Sequence, residues 1–347
     1  MYIKINNENI EVQTGETILN VCNRIGIHIP TLCHDDRISP GTTCRLCVVE
    51  INNSPKLSTS CSTVVSQGME VETHSERVVE ARRDILKLNL INHPNDCLTC
   101  KKSGECKLQR YCYEYEVEHG NYSKTKPSVI KDSSNPFYTY DKNKCVKCGK
   151  CIGICKEIQQ AHAIQFNHRG INSEMGSEFD GAINNSSCES CGNCVSVCPT
   201  GALEVKSKEK YRIYDTKSVE TTCGYCGVGC RIDLRVKGNT IVESRPVNKA
   251  PNFGSLCVKG RFGFNFISHP DRLTEPLIRR NGRLEKATWN EAFSVITEKI
   301  MSTKRKYSAD SIAGFSSARA STEENYLFQK LFRAGIGTNN IDHCARL

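Results

Sequence analysis

One four-cysteine phrase occurs twice in this chain, as CVKCGKCIGICK from Cys145 and as CESCGNCVSVCP from Cys188. The spacing C-x2-C-x2-C-x3-C is typical of proteins that hold two 4Fe–4S clusters, in which the last cysteine of each copy ligates the other copy's cluster. The predicted ligands are Cys145, Cys148, Cys151 and Cys198 for one cluster, and Cys155, Cys188, Cys191 and Cys194 for the other. Zinc is the alternative metal, but zinc sites do not repeat an eight-cysteine pattern.

A second group consists of Cys33, Cys44, Cys47 and Cys61, spaced C-x10-C-x2-C-x13-C. Plant-type ferredoxins hold a 2Fe–2S cluster with three thiolates on one loop and a distant fourth, although their first gap is shorter. The surrounding residues predict a β-grasp module. Residues 2–13 are typical of a β-hairpin, a helix is predicted after Thr14 with Gly26 as its end, and RLCVVEI is typical of a strand. We therefore predict a 2Fe–2S cluster here, with a zinc site as the alternative.

A third group, in HPNDCLTCKKSGEC, supplies three thiols at Cys97, Cys100 and Cys106. A 4Fe–4S cluster needs a fourth ligand, and His93 is the nearest candidate, with Cys112 as the competitor. A neutral imidazole in place of a thiolate removes one negative charge and should raise the reduction potential of the cluster.

A fourth group comprises Cys223, Cys226, Cys230 and Cys257, spaced C-x2-C-x3-C-x26-C, and predicts another 4Fe–4S cluster. Glycines 224, 227 and 229 between these cysteines are expected to let the backbone pass close to the cluster. Three cysteines then remain without a predicted metal: Cys22, Cys112 and Cys344. Cys22 lies on the apolar face of the predicted first helix and is expected in the core.

The 22 cysteines in 347 residues also bear on the cellular compartment. The N-terminus has neither a basic segment followed by an apolar run nor a twin arginine, and no apolar run is long enough to span a membrane. Clustered cysteines in a cytoplasmic protein indicate metal binding rather than disulfides. We therefore predict a cytoplasmic protein without a membrane span.

The formal charge of +9 could indicate a nucleic-acid partner, but it counts every cysteine as neutral. Five oxidised clusters with their thiolates carry about −9 in total, which cancels it. No basic surplus then remains for a nucleic acid, so none is expected as a partner.

Several further elements follow from pattern. Val78, Ala81, Ile85 and Leu88 predict one face of a helix that runs from Ser75 and ends before Pro94. Residues 120–143 are polar and contain prolines, and are predicted as a linker. RIDLRVKGNTIVESRP predicts a hairpin that turns at Gly238–Asn239.

The last stretch has the pattern of the start of an α/β domain. Capping boxes at Thr288–Glu291 and Ser321–Glu324 predict two helices, the second ending at Gly335. SIAGF between them predicts a buried strand, which is expected to lack a partner.

The order of these groups resembles three families: iron-only hydrogenases, the large iron–sulfur subunit of respiratory complex I, and cytosolic NAD-linked formate dehydrogenases. No cysteine motif of a hydrogenase catalytic cluster follows Cys198. TTCGYCGVGCRIDLRV with NFGSLCVKGRFG resembles the 4Fe–4S segment that opens molybdopterin oxidoreductases. GFSSARASTEENYLFQKLFRAGIGTNNIDHCARL resembles their formate dehydrogenase branch, so the resemblance covers the whole chain.

The resemblance implies oxidation of formate to carbon dioxide at molybdenum or tungsten held by two pterin guanine dinucleotides in the full-length protein. Lys259, two residues after Cys257, matches the lysine that the family places between the cluster and the pterin, as a catalytic and cofactor-binding residue. The alternative for Lys259 is an ordinary surface lysine. One 2Fe–2S and four 4Fe–4S clusters would carry electrons to a flavin- and NAD-binding diaphorase subunit, a ferredoxin or a hydrogenase.

The expected fold is therefore α+β and multidomain. The predicted domains are a 2Fe–2S β-grasp domain (1–77), a 4Fe–4S domain with one histidine and three cysteine ligands (78–119), a two-cluster ferredoxin domain (138–209), a 4Fe–4S molybdopterin-type domain (216–272) and an incomplete molybdopterin oxidoreductase domain (273–347). The alternative to a formate dehydrogenase is a free-standing electron-transfer subunit of a hydrogenase or an NADH-oxidising complex.

The final residues HCARL precede the point where the family carries a metal-bound cysteine or selenocysteine. We expect that a selenocysteine codon, read as a stop, truncates the chain at Leu347, and that the chain alone does not oxidise formate.

Overall fold

A computed structural model of the chain describes residues 1–118, 120, 131–207 and 209–344. The chain forms two compact units, Met1–Lys217 and Ser218–Leu347. All 22 cysteines are free thiols.

The first unit begins with a five-stranded sheet in the order β2-β1-β5-β3-β4. Its strands are β1 (Tyr2–Ile5), β2 (Glu8–Glu11), β3 (Val48–Ile51), β4 (Ser58–Thr59) and β5 (Glu70–Glu72). β1 and β2 form the predicted antiparallel hairpin, and β1 pairs in parallel with β5.

Helix α1 (Ile18–Arg24) packs against this sheet, and Ile3, Ile18, Val49 and Val71 are buried between them. The predicted start after Thr14 was wrong by three residues, because the Thr17 hydroxyl accepts from the Asn20 amide and caps the helix. Cys22 is fully buried in this core, as predicted, and burial raises its pKa to about 11.

Helix α2 (Glu76–Leu90) begins after Ser75, as predicted, and α3 (Lys107–Glu114) follows it. The predicted buried face of α2 was wrong in part. The buried residues are Val78, Arg82, Leu86 and Leu90, whereas Leu88 is 66% exposed. The prediction passed over Arg82 because it is charged, and so selected a face rotated from the true one.

The cysteine repeat occupies the rest of the first unit. Its elements are β6 (Tyr138–Tyr140), α4 (Lys150–Gly153) followed by a π-helical turn (Ile154–Ile158), β7 (Gln165–Asn167), β8 (Glu174–Gly176), α5 (Asn193–Val197) and β9 (Leu203–Val205).

The segment predicted as a linker, residues 120–143, therefore contains a strand. β6 pairs antiparallel with β9, which lies on the far side of both cysteine phrases. Residues 121–130 of that prediction lie outside the described residues.

The second unit opens with a three-stranded sheet of β10 (Lys217–Thr222), β11 (Arg231–Lys237) and β12 (Thr240–Pro246). β11 and β12 form the predicted hairpin, and Gly238 at its turn has a φ of +58°. The short helix α6 (Val258–Phe262) follows, then a hairpin of β13 (Leu277–Arg280) and β14 (Arg283–Lys286).

The unit ends with α7 (Trp289–Lys306), β15 (Gly314–Ser317), α8 (Thr322–Lys330) and β16 (Ile341–Cys344). Both predicted capping boxes are present at the starts of α7 and α8.

Two predictions in this region were wrong. α8 continues as a π-helical stretch to Ile336 and ends at Gly337, whose φ of +88° suits glycine, rather than at Gly335. The strand predicted in SIAGF does have a partner, since β15 pairs in parallel with β16, and Phe315 in β15 is 82% exposed rather than buried. Residues 345–347, on which the truncation hypothesis rests, lie outside the described residues. Among the described residues no helix is long and apolar enough to cross a membrane.

Candidate iron–sulfur sites

The four cysteines of the predicted 2Fe–2S site lie as two thiol pairs. The Cys44 thiol donates to the Cys33 sulfur, which lowers the pKa of Cys33 to about 5 and raises that of Cys44. The Cys61 thiol likewise lowers the pKa of Cys47 to about 6, and its own pKa is raised. A metal ion binds the deprotonated thiolate. Two pairs of neighbouring thiols therefore suit a cluster of two irons, in which each iron has two protein ligands.

The loop that carries three of these thiols folds tightly around them. Thr42 and Arg45 both have left-handed backbone angles, with φ of 48° and 56°. Such angles are uncommon for residues other than glycine and persist where the surrounding structure holds them. Cys33, Cys47 and Cys61 are each at most 3% exposed, so the site is closed to solvent on most sides.

His93 lines a cavity of about 700 Å³ together with Cys97, Cys106 and Cys112. Its Nδ1 lies 3.0 Å from the Pro94 carbonyl oxygen, which can only accept, so Nδ1 carries the proton and the buried Nε2 has the lone pair that a metal needs.

The thiols around this cavity affect each other's protonation. Burial, together with the neighbouring Cys100 and Cys97, raises the pKa of Cys106 to about 11. The cavity thus brings His93 to the cysteine group, but it also brings Cys112, and the choice between them stays a prediction.

The first copy of the phrase gathers the thiols that the crossed arrangement requires. Cys145, Cys148, Cys151 and Cys198 all line one enclosed space, and Cys155 does not. Burial raises the pKa of Cys148 to about 12, with Cys198 and Cys145 adding to the effect.

The fourth cysteine of the first copy lies near a cysteine of the second copy. The pKa of Cys155 is raised by burial and also by Cys188, which belongs to the other phrase. The Tyr138 hydroxyl lies 3.2 Å from the Cys188 sulfur. Cys198 therefore lies with the thiols of the first phrase and Cys155 lies near Cys188 of the second, and the crossed ligation itself stays a prediction.

The cysteine loops of the first unit touch one another through the first copy. On one side, the Thr43 hydroxyl, beside Cys44, donates to the Cys148 carbonyl oxygen at 2.8 Å. The 2Fe–2S loop therefore rests directly on a loop of the repeat.

On another side the His93 group meets the chain around Cys145 and Cys198. Lys144, beside Cys145, forms an ion pair with Asp96, beside Cys97, at 2.8 Å. A Cβ at Gly201 would lie 2.7 Å from the Cys100 sulfur, so only glycine allows this close approach.

In the second unit, Cys223, Cys226, Cys230 and Cys257 lie close enough to affect one another electrostatically. Burial raises the pKa of Cys223 and of Cys230, and Cys226 and Cys257 add to both shifts. The Cys223 amide donates to the Cys230 carbonyl oxygen at 2.8 Å, which folds the loop back on itself.

Three glycines in this loop were predicted to let the backbone pass close to the cluster, and their surroundings differ. Gly229 has a φ of +66°, and a Cβ at Gly227 would lie 3.1 Å from the Ala318 carbonyl oxygen. A Cβ at Gly224 would meet no atom within 4 Å, so the protein chain itself does not require glycine there. Lys259 is exposed on α6, two residues after the exposed Cys257, so both of its interpretations stay open.

Sequence reasoning missed three side chains near these sites. Tyr138 and Tyr140 project from β6 towards Cys188 and Cys145, and burial raises the pKa of both phenols. Lys150, inside the first phrase, is buried and lies 3.6 Å from Asp35. Its position inside a motif of ligands, next to Cys151, was the available signal.

Five family models match in succession along the chain. They are the 2Fe-2S iron-sulfur cluster binding domain (1–76), the NADH-ubiquinone oxidoreductase-G iron-sulfur binding region (82–121), the 4Fe-4S dicluster domain (144–202), the molybdopterin oxidoreductase Fe4S4 domain (216–269) and molybdopterin oxidoreductase (272–347). These matches confirm the α+β multidomain fold class and the predicted cofactor types: a 2Fe–2S cluster, 4Fe–4S clusters and a molybdopterin oxidoreductase affiliation.

Curated relatives match over nearly the whole chain. The NADPH-Fe(3+) oxidoreductase subunit alpha of Geobacter sulfurreducens is 37% identical over 99% of this chain and 40% of its own length. The Bacillus subtilis protein named "Putative formate dehydrogenase YrhE" is 34% identical over 99% of this chain and 39% of its own length. An NADH-quinone oxidoreductase subunit of Rhizobium meliloti is 35% identical, with shares of 99% and 40%.

Among solved structures, an NAD+-reducing [NiFe]-hydrogenase matches with a TM-score of 0.57 and 28% identity, over 61% of this chain and 90% of the hydrogenase chain. The chain spans about two fifths of the length of the curated relatives it matches. Family models thus match in succession along most of the chain, and the chain is built from iron–sulfur domains of the kinds found in NADH-ubiquinone oxidoreductase-G and in molybdopterin oxidoreductases.

Proposed function

We propose that this chain is the electron-wiring portion of the catalytic subunit of a formate dehydrogenase. In this proposal, electrons from formate oxidation enter at the cluster on Cys223, Cys226, Cys230 and Cys257 and leave through the clusters of the first unit. The acceptor is a diaphorase subunit that binds flavin and NAD, or a ferredoxin. The observation that carries the proposal is the contact of three cysteine loops in the first unit, each with the thiol set of one cluster type.

The first copy of the phrase contacts two other cysteine loops of the first unit. The 2Fe–2S loop contacts it through the Thr43 hydrogen bond, and the His93 loop contacts it through the Lys144–Asp96 ion pair. Because these contacts are made by residues adjacent to predicted ligands, each loop holds its neighbour's thiols in place. A pre-organised frame of this kind suits repeated electron transfer, since little of the protein must move when the charge of a cluster changes.

The proposed ligand sets give the clusters different net charges. Four thiolates bind each cluster except the one beside His93, where a neutral imidazole leaves the cluster one unit less negative and so easier to reduce. The Nδ1 proton of His93, facing the Pro94 carbonyl, fixes the ring in the orientation that presents Nε2.

Molybdenum or tungsten on two pterin guanine dinucleotides would supply the chemistry of formate oxidation in the whole protein. In this chain, Lys259 is proposed to face that cofactor, as a cation two residues from Cys257. Its exposure on α6 is compatible with a role at the edge of the cluster.

Formate as the substrate is supported by the resemblance of the C-terminal stretch and by the printed name of the Bacillus subtilis relative. The second candidate is an electron-transfer subunit of a hydrogenase or of an NADH-oxidising complex. It is favoured by the hydrogenase match, which takes in 90% of that chain, and by the NADH- and NADPH-linked names of two relatives. The five predicted domain ranges and the cytoplasmic location belong to the proposal as well.

Cluster content is the first test. The reconstituted chain should bind about 18 irons, two from the 2Fe–2S cluster and four from each 4Fe–4S cluster. Stoichiometric zinc with iron well below about ten per chain would contradict the proposal.

The substrate is tested with protein purified from its native host. Formate-dependent reduction of a viologen dye is expected, and NADH and hydrogen serve as competing donors in matched assays. Dye reduction by NADH or hydrogen but not by formate would favour the second candidate.

A further inference from the structure

Arg82 lies in the middle of α2 and is fully buried. Its Nη1 donates to the Tyr115 hydroxyl at 2.9 Å, and its Nη2 donates to the Val48 carbonyl oxygen at 2.8 Å. Both partners are neutral. The buried Nε finds no acceptor among the described residues.

The charge of this guanidinium has no carboxylate partner in the part of the chain that the structure describes. The arginines on either side of it differ, because Arg77 pairs with Glu50 at 3.0 Å and Arg83 pairs with Glu116 at 3.6 Å. A buried charge is costly unless it is paired, so a fully buried arginine with neutral partners only calls for an opposite charge nearby.

The position of Arg82 indicates where that charge would be. Val48, which accepts from Arg82, directly follows Cys47, a predicted ligand of the 2Fe–2S cluster. Arg82 also acts electrostatically on Cys22, which is packed in the same core as Cys47 and Cys61. The guanidinium thus contacts the backbone of the residue that follows a predicted ligand of the 2Fe–2S cluster.

We propose that Arg82 is the internal counter-charge of the 2Fe–2S cluster and raises its reduction potential. The inference rests on the proposed ligation by Cys33, Cys44, Cys47 and Cys61. Four thiolates give the cluster a net charge of about −2 when oxidised and one unit more when reduced, so a fixed cation stabilises the reduced form more. Arg82 acts on the cluster through its charge and does not ligate it, since it donates to the Val48 carbonyl oxygen rather than to a predicted ligand atom.

The test compares Arg82→Met with Arg83→Met in the full chain with its clusters. Both variants remove one positive charge from adjacent positions of α2, but Arg83 is half-exposed and already paired. Potentiometric titration followed by the electron paramagnetic resonance signal of the 2Fe–2S cluster should show a lower midpoint potential in Arg82→Met alone. The other clusters should keep their potentials, and Arg82→Lys should retain most of the wild-type value.

A second readout separates a counter-charge from a purely structural role. In the metal-free protein the cluster charge is replaced at most by the thiolates of Cys33 and Cys47, whose pKa values are low, so Arg82→Met should lower the unfolding temperature less than it does in the cluster-loaded protein. In the cluster-loaded protein the same variant should unfold at a lower temperature. A purely structural role predicts an equal loss of stability in both forms.

An unchanged 2Fe–2S potential in Arg82→Met would overturn the inference. If Arg82→Met assembles no 2Fe–2S cluster, Arg82→Lys decides. Assembly in Arg82→Lys near the wild-type potential supports the counter-charge, and failure in both variants assigns Arg82 to structure. Absence of a 2Fe–2S signal in the wild-type chain would instead contradict the proposed cluster site, so the two failures are distinguishable.

Discussion

The two copies of the cysteine phrase fold with the same backbone but in different surroundings. Lys147 and Ser190, at equivalent positions, both have left-handed angles, with φ of 53° and 55°, and the equivalent glycines Gly149 and Gly192 have φ of 76° and 73°. Each glycine then caps a short helix, α4 or α5. The spacing of the cysteines and the glycine between them are thus sufficient to repeat the loop.

The copies diverge after their third cysteine. The first runs on from α4 into a π-helical turn that carries Cys155. The second ends at Val197, and Cys198 has an extended backbone before Pro199. A residue before proline avoids the helical region, which explains why the second copy stops where Lys156 lets the first continue.

The position after the glycine shows the difference in environment. In the first copy it is Lys150, buried and 3.6 Å from Asp35 near the 2Fe–2S loop. In the second copy it is Asn193, also buried, whose amide donates to Gln159 at 3.0 Å. Two loops of the same shape therefore hold clusters in different electrostatic settings, and their reduction potentials should differ.

The largest expected effect comes from removing the cysteine of one copy that is predicted to ligate the cluster of the other copy. Cys198→Ala, in the second copy, should disrupt the cluster of the first copy, and Cys155→Ala should disrupt the cluster of the second. Each variant should lose up to about four irons per chain, or one when a 3Fe cluster remains. Iron analysis and resolved paramagnetic signals measure the loss. If each variant instead lost the cluster of its own copy, the crossed ligation would be wrong.

The surroundings of the first copy can be tested next with Lys150→Gln. Removing a buried cation beside Cys151 should lower the potential of the first cluster by roughly 50–100 mV, since a charge at this range is worth about 1–2 kcal/mol. Lys156→Gln is the matched control, because Lys156 is also adjacent to a predicted ligand, Cys155, but is exposed to solvent. Equal shifts in the two variants would mean that burial at position 150 does not matter.

How far the sequence could predict these sites depends on the range of the interactions. The cysteine groups, the start of α2 and the β11–β12 hairpin are local, so spacing and residue type predicted them. β6 was missed because 62 residues separate it from its partner β9, which is beyond any local pattern. The buried face of α2 was misassigned because Arg82 is held there by Tyr115 and by the 2Fe–2S domain, which are contacts that hydrophobic periodicity does not register.

The smallest expected change in reduction potential concerns the two tyrosines of β6, of which one lies near a cysteine of each copy. Tyr138 lies 3.2 Å from the Cys188 sulfur, and Tyr140 is buried against Cys145. Burial raises the pKa of both phenols, so each keeps its proton at neutral pH and can donate to a cluster thiolate. A donor of this kind stabilises the extra negative charge of the reduced cluster.

Tyr138→Phe should therefore lower the potential of the second cluster only, and Tyr140→Phe that of the first only. A shift of roughly 20–40 mV is expected, because one hydrogen bond contributes about 1 kcal/mol and 59 mV corresponds to a tenfold change for one electron. Each variant is the other's control in a redox titration of the resolved 4Fe–4S signals. Because the two phenylalanines keep the ring and remove only the hydroxyl, a shift of both clusters by either variant would point to repacking of β6. A shift confined to one cluster would assign the effect to a single hydrogen bond, and the two copies would then differ through their charges more than through their phenols.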